Sequence, residues 1–423
     1  MEPTDHLFRH EAGRMVATLT RIFGVHNLAL AEDVVQDAFC RALEVWKFRG
    51  VPENPSAWLM ATAKNRALDV LRRERTALTF APELGRLLES EWTLTPAVEE
   101  VFGAGAIKDS QLRMMFSCCH PRLPEEAQVA LVLHILCGFS VGEIAGAFVS
   151  GHAAIEKRIS RAKKVLAGSK NLFDVSAAGD FSARLPVVLR ALYLLFNEGY
   201  HGASPESAVR TDLCREAMRL AALLREHLLG ATPATHALAA LMCLHAARLP
   251  GRLDSDGGLR SLFDQDRSQW DAGLIAEGQR LLDLSASGDE LTEYHIEAAI
   301  AWLHATATRA EETDWGKIVS MYDRLLAIRP SPVVALNRAI AVAERDGPQR
   351  GVEEIRAIPN AGRLARYPFY HAALGEFEFR QRKFEQAGGH FRSALACARN
   401  PAERQFFSQR ISACERAELS RAG

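Results

Sequence analysis

Trp58-Leu59-Met60-Ala61-Thr62-Ala63-Lys64-Asn65-Arg66-Ala67-Leu68-Asp69-Val70-Leu71-Arg72-Arg73 reads as one helix with two unlike faces. Leu59, Ala63 and Val70 recur at helical spacing and point inward. The opposite stripe is Trp58, Thr62, Asn65, Asp69 and Arg72, at steps of 4, 3, 4 and 3. An aromatic ring, a hydroxyl, an amide and a guanidinium together suit unstacked bases and phosphates. Lys64, Arg66, Arg72, Arg73 and Arg75 add a cationic track for a nucleic-acid backbone. A basic helix end also complements the helix dipole, so stripe and cluster carry the reading jointly. The helix is expected to start near Ser56, after Pro52 and Pro55, and to run to Arg75.

Upstream, Ala31-Glu32-Asp33-Val34-Val35-Gln36-Asp37-Ala38-Phe39 belongs to a helix expected from about Leu28 to Trp46. Val35, Ala38, Ala42 and Val45 share its core face. Asp33, Asp37, Cys40 and Glu44 form an acidic stripe, with Gln36 beside them. Such a stripe is usually a solvated face. Between the two helices, Phe48-Arg49-Gly50-Val51-Pro52-Glu53-Asn54-Pro55 reads as a loop.

The same helical periodicity runs through nearly all 423 residues, and long alternating β-branched runs are missing, so the expected fold class is all-α. Apolar residues make up 48% of the chain, the ordinary share for a globular protein. A formal net charge of −1 means that any nucleic-acid contact must come from local basic patches. Residues 1–76 and 108–168 are compact helical blocks, each ending in a basic run, and residues 180–418 form the largest section. Residues 77–107, with several prolines and glycines and two acidic stretches, read as a linker. No run of 18 apolar residues exists and the N-terminus Met-Glu-Pro-Thr-Asp lacks a secretory pattern, so the expected location is the cytoplasm, without a membrane partner.

In the second block, Ser140-Val141-Gly142-Glu143 has the Ser-x-x-Glu spacing of a capping box and opens a short helix, Val141 to Phe148. A turn at Val149-Ser150-Gly151 leads into a helix from about His152 to Ala167. Ile155, Ile159, Ala162 and Leu166 pack inward. Lys157, Ser160, Arg161 and Lys164 lie nearly opposite, where a recognition helix presents side chains to the major groove. Helix pairs joined by a tight turn are common, so the pattern acquires meaning only with its neighbours.

The third section repeats itself near a period of about 34 residues, the length of a tetratricopeptide helix pair. Leu374, Gly375, Ala387, Phe391 and Ala394 carry the clear copy: small residues let two helices approach and Phe391 fills the gap. A degenerate copy aligns through Trp302, Tyr322 and Pro330; a non-repeating helical bundle is the alternative. Asp264, Asp266, Arg267 and Asp271 beside Trp270 are either an acid–base cluster or, more commonly, caps and ion pairs. Asp254-Ser255-Asp256-Gly257 starts like a calcium loop, but the twelfth position is Gln265 rather than Glu. Cys118-Cys119-His120 suggests a metal site or, by default, buried thiols. HExxH, GxxxxGK[ST] and GxSxG are absent, so no catalysed reaction, cofactor or metal is expected.

These residues resemble a known family. Ala31 through Phe39 is similar to the AEDxxQDxF signature of region 2.2 in sigma-70 factors, and Trp58 through Arg73 to the WLxxIAxNxxxDxxRR run of regions 2.3 and 2.4. Thr62 stands where that pattern usually has isoleucine. The helix pair of the second block resembles sigma region 4, although Gly151 and His152 replace an acidic or proline-containing turn. Cys118-Cys119-His120-Pro121 through Gln128-Val129-Ala130-Leu131 resembles the extracytoplasmic-function subgroup with a tetratricopeptide-like C-terminal extension. So do Leu195-Phe196-Asn197-Glu198-Gly199-Tyr200, Asp264 through Asp271 and Pro332 through Ala339.

The resemblance implies a sigma factor that directs core RNA polymerase to promoter DNA. It makes Asp33, Gln36 and Asp37 polymerase-docking residues. It gives the −10 element to Phe48, Arg49, Asn54, Trp58, Lys64, Asn65, Arg66, Arg72, Arg73 and Arg75. The −35 element falls to His152, Lys157, Arg158, Ser160, Arg161 and Lys164. A linker of about thirty residues reaches on the order of 100 Å, enough for two DNA elements roughly 70 Å apart. The extension is expected to regulate or support sigma activity, with a protein partner left open. A helix-turn-helix activator without polymerase docking, and a pure tetratricopeptide scaffold, are the rival readings.

Overall fold

The computed structural model describes residues 3–23, 27–74, 104–147, 150–168, 178–201, 209–254 and 258–422. Among them the chain is helical, with short tight turns and an isolated antiparallel bridge between Leu253 and Leu259. The all-α expectation holds. Two compact units result: Met1–Leu195 with Glu226–Gly230, and Phe196–Arg225 with Ala231–Gly423.

In the first unit, α1 (Pro3–Phe23), α2 (Leu28–Arg49) and α3 (Pro55–Glu74) pack on one another. Their core is Met15, Leu19, Val34, Val35, Ala38, Ala42, Leu59 and Ala63, all buried at helical spacing. α1 also packs on α4 (Ala104–Cys118) and on the wide-turn segment Val132–Leu136 that continues α5 (Glu125–Leu131). Gly13 makes that approach possible, since a Cβ there would sit 2.1 Å from the Leu136 carbonyl oxygen. The segment ends at Gly138, whose φ of +65° turns the chain, and the Phe139 N–H closes back on Leu133 O at 3.0 Å.

Next come α6 (Val141–Ala147), α7 (His152–Ala167) and α8 (Ala178–Tyr200). The first unit runs on to Leu195 because the start of α8 is anchored in it. Phe181 stacks on Phe116 of α4 at 3.8 Å, and Arg184 donates to the Phe116 carbonyl at 3.1 Å.

The second unit holds the rest: α9 (Thr211–Glu226), α10 (Pro233–Ala246), α11 (Leu249–Arg252), α12 (Ala272–Ser285), α13 (Glu293–Thr306), α14 (Trp315–Ile328), α15 (Pro332–Asp346), α16 (Pro348–Arg356), α17 (Pro368–Arg380), α18 (Phe384–Ala396) and α19 (Pro401–Ala422). α10 is apolar all round and buried against α12 and α13, as such a helix must be. From α13 onward, successive helices pack in antiparallel pairs with short connections, giving the repeat-like architecture expected of the extension.

The clear copy lies on α17 and α18, where a Cβ on Gly375 would come within 3.0 Å of the Phe391 ring. Phe391, Ala387 and Ala394 are buried there. The degenerate copy falls on α13 and α14, with Tyr322 packed on the Ile296–Ile318 cluster. Between them lies a further helix pair, α15 and α16. Gly347 alone separates these helices at φ +99°, and Gly351 faces Ala343 and Phe377.

Candidate polymerase and promoter interface

On α2, the apolar stripe faces the core and leaves Asp33, Gln36, Asp37, Cys40 and Glu44 exposed on the other side. Val45, expected in the core, is half-buried at its edge. Asp37 pairs with Arg66 of α3 at 2.8 Å, so the acidic stripe and the cationic track meet at one exposed ion pair.

The structure extends α2 through Phe48 and Arg49, which were expected in the loop. Its stop is Gly50, at φ +77°, whose N–H caps back to Trp46 O at 3.0 Å. Phe48 is therefore carried on a helix end, and its ring is 84% exposed. Asn54 has a local task, because its Oδ1 accepts from the Ala57 N–H at 3.0 Å and caps the start of α3.

Trp58 is half-buried rather than on an open stripe. Its indole lies 5.4 Å from that of Trp46, which in turn lies 5.7 Å from Phe8. The Thr62 hydroxyl is likewise occupied, donating to Trp58 O at 2.8 Å. Asn65, Arg66 and Asp69 are exposed and Lys64 is half-buried. Arg72 and Arg73 lie on α3, but their side chains, and Arg75 altogether, fall outside the described residues.

The helix pair of the second block forms as the capping pattern requires. Ser140 N–H donates to Glu143 at 2.8 Å, and Glu143 N–H donates back to the Ser140 hydroxyl at 3.2 Å. Ile155, Ile159, Ala162 and Leu166 bury one face of α7. The outer face presents His152, Lys157, Ser160, Arg161 and Lys164, all exposed. Arg158 departs from that set: it is half-buried and pairs with Glu126 of α5 at 2.9 Å, bracing α7 against its support.

Residues 7–77 match the sigma-70 region 2 family and residues 113–166 the sigma-70 region 4 family. The chain belongs to the sigma-70 family. Residues 184–286 of this sigma factor match a family of unknown function (DUF6596), which marks its C-terminal extension. Over 398 residues the factor is 37% identical to an uncharacterized protein of Rhizobium meliloti (strain 1021), covering 94% of this chain and 92% of that one. No solved structure matches the chain. With both regions present, the protein is an extracytoplasmic-function-like sigma factor with a role in promoter recognition alongside core RNA polymerase.

One pair in the sigma factor had no signal in the sequence. Lys163 of α7 donates to both carboxylate oxygens of Glu32 on α2, at 2.7 and 2.8 Å, joining region 4 to region 2. His134 stands 3.9 Å from the same carboxylate and bonds Phe139 O at 2.9 Å. Its burial, and then the Lys163 charge, hold its pKa below the ordinary histidine value.

Cys118 and Cys119 are buried, and burial pushes both thiols up. Among the described residues no group of three or more His, Cys, Asp or Glu gathers as a cation site, and no helix is long and apolar enough to cross a membrane. In the extension, Asp266 accepts from Ser268 N–H at 3.0 Å and Asp271 from Leu274 N–H at 2.9 Å. Arg267 donates to the carbonyls of His304 and Ala307 at 2.9 and 2.6 Å. The cluster beside Trp270 thus does capping and clamping work. Residues 255–257 of the calcium-like loop lie outside the described residues.

Proposed function

We propose that the sigma factor docks on core polymerase through Asp33, Gln36 and Asp37 and holds the melted −10 strand with the exposed end of α2 and the basic track of α3. Phe48, Arg49, Lys64, Asn65, Arg66, Arg72, Arg73 and Arg75 supply that second surface. Asn54 and Trp58 contribute by fixing the start of α3 and its angle to α2. The −35 duplex falls to His152, Lys157, Ser160, Arg161 and Lys164, with Arg158 as a brace. The observation that carries the reading is the division of α2 and α7, each into a buried apolar stripe and an exposed charged one, acidic on α2 and basic on α7. Polymerase docking and phosphate contact need opposite charge signs on separate faces.

The C-terminal extension is assigned the regulation of this activity. Run-off transcription tests both parts, with purified core polymerase, DNA from upstream of this protein's gene and the full chain as the sole added factor. One defined start site is the expected result, with an output that changes when the extension is removed. Silence together with no binding to core polymerase would leave a helix-turn-helix activator instead.

A further inference from the structure

Several short elements of the second unit bring cationic and aromatic side chains to one place. The Arg252 guanidinium lies over the Tyr200 ring at 4.0 Å, and Tyr200 sits 4.9 Å from the His245 ring. Arg248 and Arg267 flank the indole of Trp270 at 5.3 and 5.1 Å. Gly251 permits the close fit, since a Cβ there would stand 3.3 Å from the Trp270 ring nitrogen.

Arg267 is satisfied by its two carbonyls and by Thr313. Arg248 and Arg252 are not. Among the described residues no carboxylate forms an ion pair with either, and the buried Nε of each has no hydrogen-bond partner. The same holds for the Tyr200 hydroxyl, on a residue only 2% exposed, and for Nδ1 of His245 and His304. Buried polar groups are nearly always hydrogen-bonded, and buried charges are nearly always paired. Burial, and then the neighbouring arginines, push both histidines down to about 3, so they remain neutral and add no charge of their own.

We propose that this cluster is a binding site for a small molecule bearing a multiply charged oxyanion, a phosphate or a polycarboxylate. Arg248 and Arg252 supply the positive charge, the Tyr200 hydroxyl donates a hydrogen bond, and each neutral imidazole donates or accepts by choice of tautomer. The rings of Tyr200 and Trp270 wall off water, which strengthens the attraction between the guanidinium groups and the anion. The site stands on its own geometry, whether or not the extension regulates transcription.

The test is thermal unfolding and titration calorimetry of the full chain with inorganic phosphate, pyrophosphate or citrate, against sodium chloride at matched ionic strength. A saturable stabilisation that chloride does not give is the expected result. A response to the phosphates alone assigns a phosphoryl ligand, and a response to citrate alone a polycarboxylate. Replacing Arg248→Gln with Arg252→Gln should weaken binding at least tenfold and leave the anion-free protein no less stable, because half-buried charge without a carboxylate partner has been removed. Tyr200→Phe, which deletes one hydroxyl, should weaken binding severalfold and serves if the double variant does not fold. The proposal is overturned if none of the three anions gives a saturable shift. It is equally overturned if these variants bind as the wild type does, since that places the anion on the basic helices α3 and α7.

Discussion

Lys163 and Glu32, 131 positions apart in sequence, meet at 2.7 Å and tie α7 of region 4 to α2 of region 2. Both side chains are largely shielded, at 26% and 19% exposure, and two hydrogen bonds join them, which puts the pair near the upper end of the surface-bridge range, about 1 kcal/mol. The close seat of Gly13 on Leu136 reinforces the same contact. Under the proposed division of promoter contacts, two elements roughly 70 Å apart require region 4 to leave this position.

Lys163→Glu is therefore expected to open the first unit. Placing like charges together should shift the closed-to-open ratio by about tenfold, since about 1.4 kcal/mol is a factor of ten. Distance measurement between fluorophores on α3 and α7, with and without the substitution, reads this directly. Adding Glu32→Lys to Lys163→Glu should restore the closed distance. An unchanged distance in the single variant would mean that packing around Gly13 holds the regions together without the ion pair.

Asp37 and Arg66 form the exposed counterpart of that half-buried pair. Exposed ion pairs contribute about 0–1 kcal/mol, so Asp33→Arg with Asp37→Arg should leave the melting temperature almost unchanged. Affinity for core polymerase should nevertheless fall at least tenfold in a pull-down or fluorescence assay, while binding of duplex promoter DNA is retained. A loss of stability parallel to the loss of binding would instead make the stripe structural.

Much of this arrangement could be read from sequence because it rests on local periodicity. The buried faces of α2, α3 and α7, the capping box at Ser140 and the fit of Phe391 against Gly375 all follow from residues within a few helical turns of each other. Contacts between distant segments could not be read that way. Trp58 matches a base-stacking stripe, but Trp46 supplies it with a protein partner, and Arg158 of α7 pairs with Glu126 of α5. Glu32 stands in a recognised motif, yet nothing local names Lys163 as its partner. In the sequence, Gly50 and the prolines beyond it dominate the pattern around Phe48 and Arg49 and point to a loop; the helix uses Gly50 as its stop instead.

Phe391 tests the repeat architecture. Its ring is buried between α17 and α18 and touches the position where Gly375 has no side chain. Phe391→Ala should cost about 3–5 kcal/mol, the range for emptying an aromatic site in a packed core. Chemical denaturation should show the extension unfolding earlier while region 2 still binds core polymerase. Simultaneous loss of both would indicate that the two units unfold as one.

Truncation has a sharper boundary than the repeat pattern alone gives. Phe181 and Arg184 sit at the start of the extension but pack on Phe116 of α4. Deleting residues 180–423 should therefore destabilise the region 4 side of the first unit by about 2–4 kcal/mol, mostly through lost aromatic burial, since the Phe116 carbonyl keeps the Cys119 N–H as a donor. Phe181→Ala in the full chain should reproduce most of that loss in a thermal melt. A truncated protein as stable as the full chain would remove α8 from the first unit's core.

Acid should weaken the second unit before any carboxylate titrates. His245 and His304 are each held down at about 3, by burial first and then by Arg248. In the unfolded chain the same imidazoles take up protons near pH 6.5, so below that pH the unfolded state binds more protons and stability falls. The neutral forms contribute in full above about pH 6.5, and the loss continues down to about 3 at up to about 1.4 kcal/mol per pH unit for each histidine. The lowered carboxylates Asp266, Glu277 and Asp314 add their own acid lability only below the ordinary carboxylate range. Urea midpoints between pH 7.5 and 5, followed by tryptophan fluorescence of the extension, isolate the histidines. The midpoint should drop steadily across that window in the wild type and less steeply in His245→Gln and His304→Gln; equal slopes in all three proteins would place the acid sensitivity elsewhere.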